Sequence, residues 1–338
     1  MLKSLYSGIS GMKGFQTKLD VIGNNVANVN TVGFKKSRVI FQDIINQNIA
    51  GATSPTTQSG GINPKQIGLG TKIASIDTVH TPGSPMTTNV GTDLAIDGDA
   101  FFVVSPEDPS NGGSSYLTKA GNFTRDANGD LVNSNGFFVS GAVIENPPPL
   151  APVGTPGILH QIPINISVDE SSNLDASGNV IKIGTFDQAP TKFTSYSIDS
   201  YGYINVVDEN GNSGKLAMGM DPTNKKTFGK YYLNSSAGNV NENISLATSI
   251  VTNPGGLKKV GNTMFEVTGN AEAGGKAAIN RIENNSGGTI NSGILEMSNV
   301  DLTEEFTEMI VAQRGFQANA RTITTSDSIL EEVVNLKR

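Results

Sequence analysis

The sequence predicts an α+β chain, mainly β, with helical ends and a middle built of short strands. Three observations carry this. Apolar residues recur at a 3-4 spacing near both termini; no sustained helical period runs from about Gly70 to Ser298; and that middle is punctuated by turn signals such as Asn128-Gly129, Asn135-Gly136, Asn210-Gly211 and Pro254-Gly255-Gly256. The low charged content of 16% and the 39 glycines suit strands joined by tight turns rather than a helical bundle.

The N-terminal stripe runs through Leu2, Leu5, Ile9, Met12, Gln16, Leu19, Gly23 and Val26, and its C-terminal counterpart through Leu302, Phe306, Met309, Gln313, Phe316, Ala320, Ile323, Asp327, Leu330 and Val334. Ser298 and Asp301 signal the start of the C-terminal helix, the latter followed by Glu304 at capping-box spacing, and Glu305 adds negative charge suited to a helix start. Two heptad stripes in one chain predict a coiled-coil pairing of the ends. Ile22 and Phe15 lie off the first stripe, and Ile310, Ile329, Val333 and Leu336 lie off the second, so the apolar residues exceed one face. That surplus predicts burial against neighbouring copies. The assembly residues nominated are therefore Leu2, Leu5, Ile9, Met12, Leu19, Ile22 and Val26 at one end, and Leu302, Phe306, Met309, Phe316, Ile323, Leu330 and Val334 at the other.

With 338 residues the chain has room for two or three domains. The expected division is a terminal helical domain of residues 1–48 and 298–338, and a linker at 49–69 that is poor in apolar residues and ordered on assembly. An inner β domain of residues 70–145 and 242–297 and an inserted outer β domain of 146–241 complete it. Pro147-Pro148-Pro149, with Pro152 and Pro156 beyond, marks one boundary, because proline cannot donate into a sheet.

A net charge of −7 and a pI near 5.0 argue against nucleic-acid binding, which needs a basic face. With no cysteine, disulfides, thiolate metal sites and cysteine nucleophiles are all excluded. The two histidines, His80 and His160, have no metal-ligand or triad spacing. Asp126-Ala127-Asn128-Gly129-Asp130 has part of a calcium-loop pattern but Leu131 where such a loop needs glycine, and Asp97 and Asp99 flank a turn glycine. No catalytic residue, cofactor or metal is expected. The N-terminus lacks the unbroken apolar core of a cleaved signal peptide. A rival reading, a surface adhesin or carbohydrate-binding β protein, would use aromatics such as Tyr201, Tyr203, Tyr231 and Tyr232; helical stripes at both ends argue against it.

Gly23-Asn24-Asn25-Val26-Ala27-Asn28-Val29-Asn30-Thr31-Val32-Gly33-Phe34-Lys35 resembles the N-terminal signature of flagellar rod and hook proteins, with Asn24, Asn25, Asn28, Asn30, Thr31, Gly33 and Phe34 as its motif residues. Asp93 to Phe102, Tyr116 to Asp126 and Ser298 to Arg314 are similar to later parts of the same family, and the ending Thr325 to Arg338 resembles hook proteins more than rod proteins. The resemblance implies a structural subunit that polymerises with itself into a curved tube. Its terminal helices would line a channel and its β domains would stack outside. It also implies export by the flagellar type III apparatus without cleavage, and contacts with a hook cap, the distal rod and hook–filament junction proteins.

Overall fold

The computed structural model describes residues 2–55, 60–107, 114–127, 129–144, 159–164, 193–208, 211–220, 228–234, 243–282 and 287–336. The fold is α+β, mostly β, with one helix at each end, α1 (Leu2–Ala27) and α2 (Leu302–Leu336). The chain divides into two compact units. The first comprises Met1–Asn30, Lys35–Thr81 and Asn299–Arg338, and the second Thr31–Phe34 and Pro82–Ser298.

In the first unit both helices have defined ends. Asp301 Oδ1 accepts from the backbone N–H of Thr303 at 2.8 Å and of Glu304 at 3.4 Å, satisfying donors that the first turn of α2 leaves open. These bonds hold the Asp301 carboxyl below its usual titration range. At the other end of α1 the Asn28 side chain donates to the Asn24 carbonyl at 2.9 Å, covering an acceptor of the last turn.

Between the helices the chain forms a long antiparallel ribbon. Strand β1 (Ser37–Asp43) pairs with β4 (Thr71–Thr78), and β2 (Asn46–Ala50) pairs with β3 (Lys65–Gly68); a bridge between Thr53 and Ile62 continues the ribbon beyond them. A bulge at Ile40/Phe41 turns the β1 ladder. The segment 49–69, expected as a linker, lies within this ribbon, with residues 56–59 outside the described ones. A ribbon needs little apolar content to pair, because its backbone bonds are made across two strands; what it lacks is a covered face. α1 packs on the root, where Gly14 leaves room for the Phe41 ring and Phe15 meets Phe41 at 5.8 Å between centroids, and its Lys3 reaches Gln47 in β2. Farther out Ile45, Ile49, Ile62 and Ile67 are exposed.

The described residues of the second unit are mainly β. Its larger sheet runs β14 (Lys258–Gly261), β15 (Met264–Glu266), β6 (Tyr116–Thr118), β5 (Phe101–Ser105), β9 (Phe138–Ile144), β8 (Leu131–Val132) and β7 (Thr124–Arg125). A second sheet is the meander β10 (Phe193–Ile198), β11 (Ile204–Asp208), β12 (Ser213–Met220) and β13 (Phe228–Asn234). One apolar cluster joins them, with Leu94, Phe102, Val104, Phe123 and Ile162 beside Ile204, Val206, Leu216 and Leu233. Phe102 and Phe123 meet edge to face at 5.2 Å, an arrangement favoured by their ring quadrupoles. The segments 146–158 and 165–192, which make up much of the expected outer domain, lie outside the described residues.

Candidate assembly surface

The two helices of the first unit run antiparallel, and along their seam small residues of one helix face larger residues of the other. Gly8 faces Ile323 and the Asn319 backbone, Gly11 faces the Asn319 amide, and Phe15 lies over Gly315; a Cβ at residue 315 would stand 2.6 Å from the Phe15 ring. Ala312 and Ser326 are buried along the same line. With no Cβ of their own, Gly8 and Gly315 leave space that Ile323 and Phe15 of the facing helix fill. Lys18 pairs with Glu308 across it.

Most of the apolar stripe nominated on α2 looks elsewhere. Leu302 is 39% exposed, Phe306 49%, Phe316 36% and Val334 64%, while Met309, Ile323 and Leu330 are half-buried. Ile310, Val311, Ile329 and Val333, off that stripe, are also exposed. On α1, Ile22 is buried and Leu5, Ile9, Met12, Leu19 and Val26 are half-buried; the Leu2 side chain lies outside the described residues. Leu302, Phe306 and Ile310 follow one another at four-residue spacing, so this part of α2 shows an uncovered apolar strip of the kind that associates. The sequence reading missed the seam itself. Its signal was available as Gly8, Gly11 and Gly14 at three-residue spacing and as Ala312, Gly315 and Asn319, the small-residue pattern of close helix contact.

The N-terminal motif residues divide between the units. Asn25, 1% exposed, ties its helix to the ribbon and to α2: its Nδ2 donates to the Ser37 carbonyl at 2.8 Å and to Glu305 Oε2 at 3.2 Å, and its Oδ1 accepts from the Ser37 N–H at 3.0 Å. Lys36 Nζ binds Glu304 Oε2 at 2.6 Å, and the Lys36 N–H donates to Asn299 Oδ1 at 2.7 Å. Lys35 is buried and donates to the Thr81 carbonyl at 2.7 Å. Asn24 and Asn30 are exposed, and Asn28 and Thr31 are half-buried. Within the second unit Gly33 adopts a φ of 68°, where a Cβ would lie 2.5 Å from the Ala120 nitrogen, and its N–H donates to the Glu296 carbonyl at 2.8 Å. No other residue type fits there without strain. Phe34 lies under Lys259 Nζ at 4.9 Å.

Among the described residues no group of three or more His, Asp or Glu is placed to hold a metal, and no helix is long and apolar enough to cross a membrane. Asp126 Oδ1 accepts from the Asp130 N–H at 2.8 Å, so that segment closes as a turn. Of the aromatics nominated for ligand contact, Tyr201 is exposed and Tyr203 is buried under Lys215 and Arg281; the side chains of Tyr231 and Tyr232 lie outside the described residues.

Comparison with known proteins gives these features a family. Residues 5–35 match the model of flagella basal body rod proteins, 95–206 that of the D1 domain of flagellar hook proteins FlgE/F/G, and 291–336 that of the C-terminal region of flagellar basal body rod FlgEFG proteins. The chain is 43% identical over 340 positions to the flagellar basal-body rod protein FlgG of Bacillus subtilis, covering all of both chains. It is 34% identical over 451 positions to the flagellar hook protein FlgE of Borreliella burgdorferi, and 31% identical over 341 positions to that organism's rod protein FlgG, again covering all of each chain. A helix, a ribbon, a β body and a second helix, matched along their whole length, place the chain in the flagellar hook and basal-body rod protein family.

Proposed function

We propose that the protein is a structural subunit of the flagellar hook, polymerising with copies of itself into a curved tube outside the cell that transmits rotation from rod to filament. The single observation that carries the polymerising part of this reading is the uncovered apolar surface of α2, because a helix that shows Phe306, Ile310, Val311, Val333 and Val334 to water is incomplete alone. In the polymer the terminal helices pair further as coiled coils around a channel, and the β body lies outside with residues 146–241 as its inserted outer part. The hook cap, distal rod, junction proteins and type III export apparatus are the expected partners, with export requiring no cleavage.

A second reading, a distal rod subunit, is supported by the 43% identity to a FlgG protein aligned over 340 positions, whereas the Borreliella hook alignment is stretched to 451. Complementation separates the two: a strain lacking this chain that retains a rod but no hook supports the hook, and one that loses the distal rod supports the rod.

The shared assembly claim is tested by Phe306→Ser with Ile310→Ser. Burying the exposed half of each side chain returns about 1 kcal/mol, so the double variant raises the critical concentration for seeded polymerisation roughly thirtyfold. Unaltered polymerisation by a folded double variant would overturn it.

A further inference from the structure

The start of α2 carries three glutamates, and each has a different partner. Glu304 holds Lys36 and Glu308 holds Lys18. Glu305 is 6% exposed and has a neutral partner, the Asn25 amide. The orientation of that amide is fixed by Ser37: because Oδ1 accepts from the Ser37 N–H, Nδ2 faces both the Ser37 carbonyl and Glu305. Asn25 therefore only donates toward Glu305, whatever the protonation of the acid. A buried carboxylate with one neutral donor and two acidic neighbours is costly when ionised, and a buried carboxylic acid is not.

We infer that Glu305 takes up a proton as α1, α2 and the root of the ribbon close upon it, so that closure of the helical unit is coupled to pH and favoured under mildly acidic conditions. The groups acting on it are named by the geometry. Burial raises its titration above the usual carboxylate range, and Glu304 and Glu308 on its own helix add to this; the Asn25 hydrogen bond and Lys36, just before β1, oppose it without cancelling it. The sign follows. The folded-state value is raised, so the stabilisation is fully present below the unfolded value and is lost as pH rises through the folded one. Asp301, held low by its cap bonds, changes with pH in the opposite sense and in a lower window.

The inference rests on the assembly reading only where polymerisation is the readout. With the full chain, helicity of the dilute protein and the critical concentration for seeded polymerisation are measured between pH 4.5 and 7.5 for the wild type and Glu305→Gln. Between its unfolded and folded titration points a single proton changes an equilibrium by up to about tenfold per pH unit. The wild type should lose helical stability, and require more protein to polymerise, as pH rises; Glu305→Gln, which keeps the acceptor for Asn25 without the charge, should respond to neither. An equal slope in wild type and variant, or no slope in the wild type, overturns the inference. If neither protein polymerises at any pH, the assembly reading falls and the helicity titration alone decides. Carbon-13 carboxyl shifts of labelled wild type give a second measure that needs no variant: titration of Glu305 within or below the ordinary range also overturns it.

Discussion

The β body and the helical unit solve the burial problem in opposite ways. In the β body large side chains point inward: Phe101, Phe102, Phe123, Leu117 and Leu131 are fully buried, and the apolar cluster runs continuously from the larger sheet into the meander. In the helical unit glycines at the seam receive a few large side chains, Phe15 and Ile323 among them, while Phe306, Ile310 and Val334 stay on the open side. The first arrangement is complete in one molecule. The second closes a seam between its two helices and leaves apolar area uncovered; on the assembly proposal above, that area is what neighbouring copies would cover.

The largest effect expected is on the complete side. Phe102→Ala removes a fully buried ring that meets Phe123 edge to face, and should cost about 3–5 kcal/mol in urea unfolding of the β body. A loss below about 1 kcal/mol would mean that the cluster relaxes freely, and the contrast between the two regions would weaken. Polymerisation by whatever fraction remains folded should retain the wild-type critical concentration, because Phe102 belongs to the interior of the β body.

Next comes the seam. Gly315→Leu drives a side chain into the Phe15 ring and should destabilise the helical unit by roughly 1–3 kcal/mol, read as loss of helicity at 222 nm, while the β body unfolds as before. Pairing it with Phe15→Ala sharpens the test. If the two residues occupy the same space, the double variant is more stable than the sum of the single effects predicts; strict additivity would show that the seam lies elsewhere.

The two regions were also unequally legible. The helices announced themselves by period, and of the two start signals for α2, Ser298 and Asp301, the second proves to be the cap, because caps and amphipathicity are local signals. The β body was legible as β from its turns. Which strands become neighbours, such as β5 between β6 and β9, depends on contacts distant in sequence that no window contains. Apolar period alone identified α2 but not its inner face, since hydrophobicity was assumed to point inward; the closest contacts are made by Gly8, Gly11 and Gly315, which score as gaps in such a pattern. The ribbon at residues 37–78 was read in part as a linker because its outer half has few apolar residues, and pairing by backbone bonds leaves little trace in composition. Of the motif, Gly33 was readable as a position closed to other side chains, whereas the role of Asn25 depends on Glu305, 280 positions away.

The smallest effect expected is at the cap of α2, and it distinguishes local from assembled stability. Asp301→Ala withdraws the acceptor used by the Thr303 and Glu304 N–H groups, which the helix interior cannot replace, so the helical melting midpoint should fall by a few degrees at neutral pH. The Asp301 carboxyl titrates below its usual value, so its contribution is present above the unfolded value and disappears as pH falls through the folded one; wild type and variant should converge in acid. In the polymer the same substitution should matter less, because neighbouring copies that cover the apolar side of α2 hold its first turn whether or not it is capped. A cap effect of equal size in monomer and polymer would mean that this turn gains nothing from its neighbours, and would place the contact surface farther along the helix.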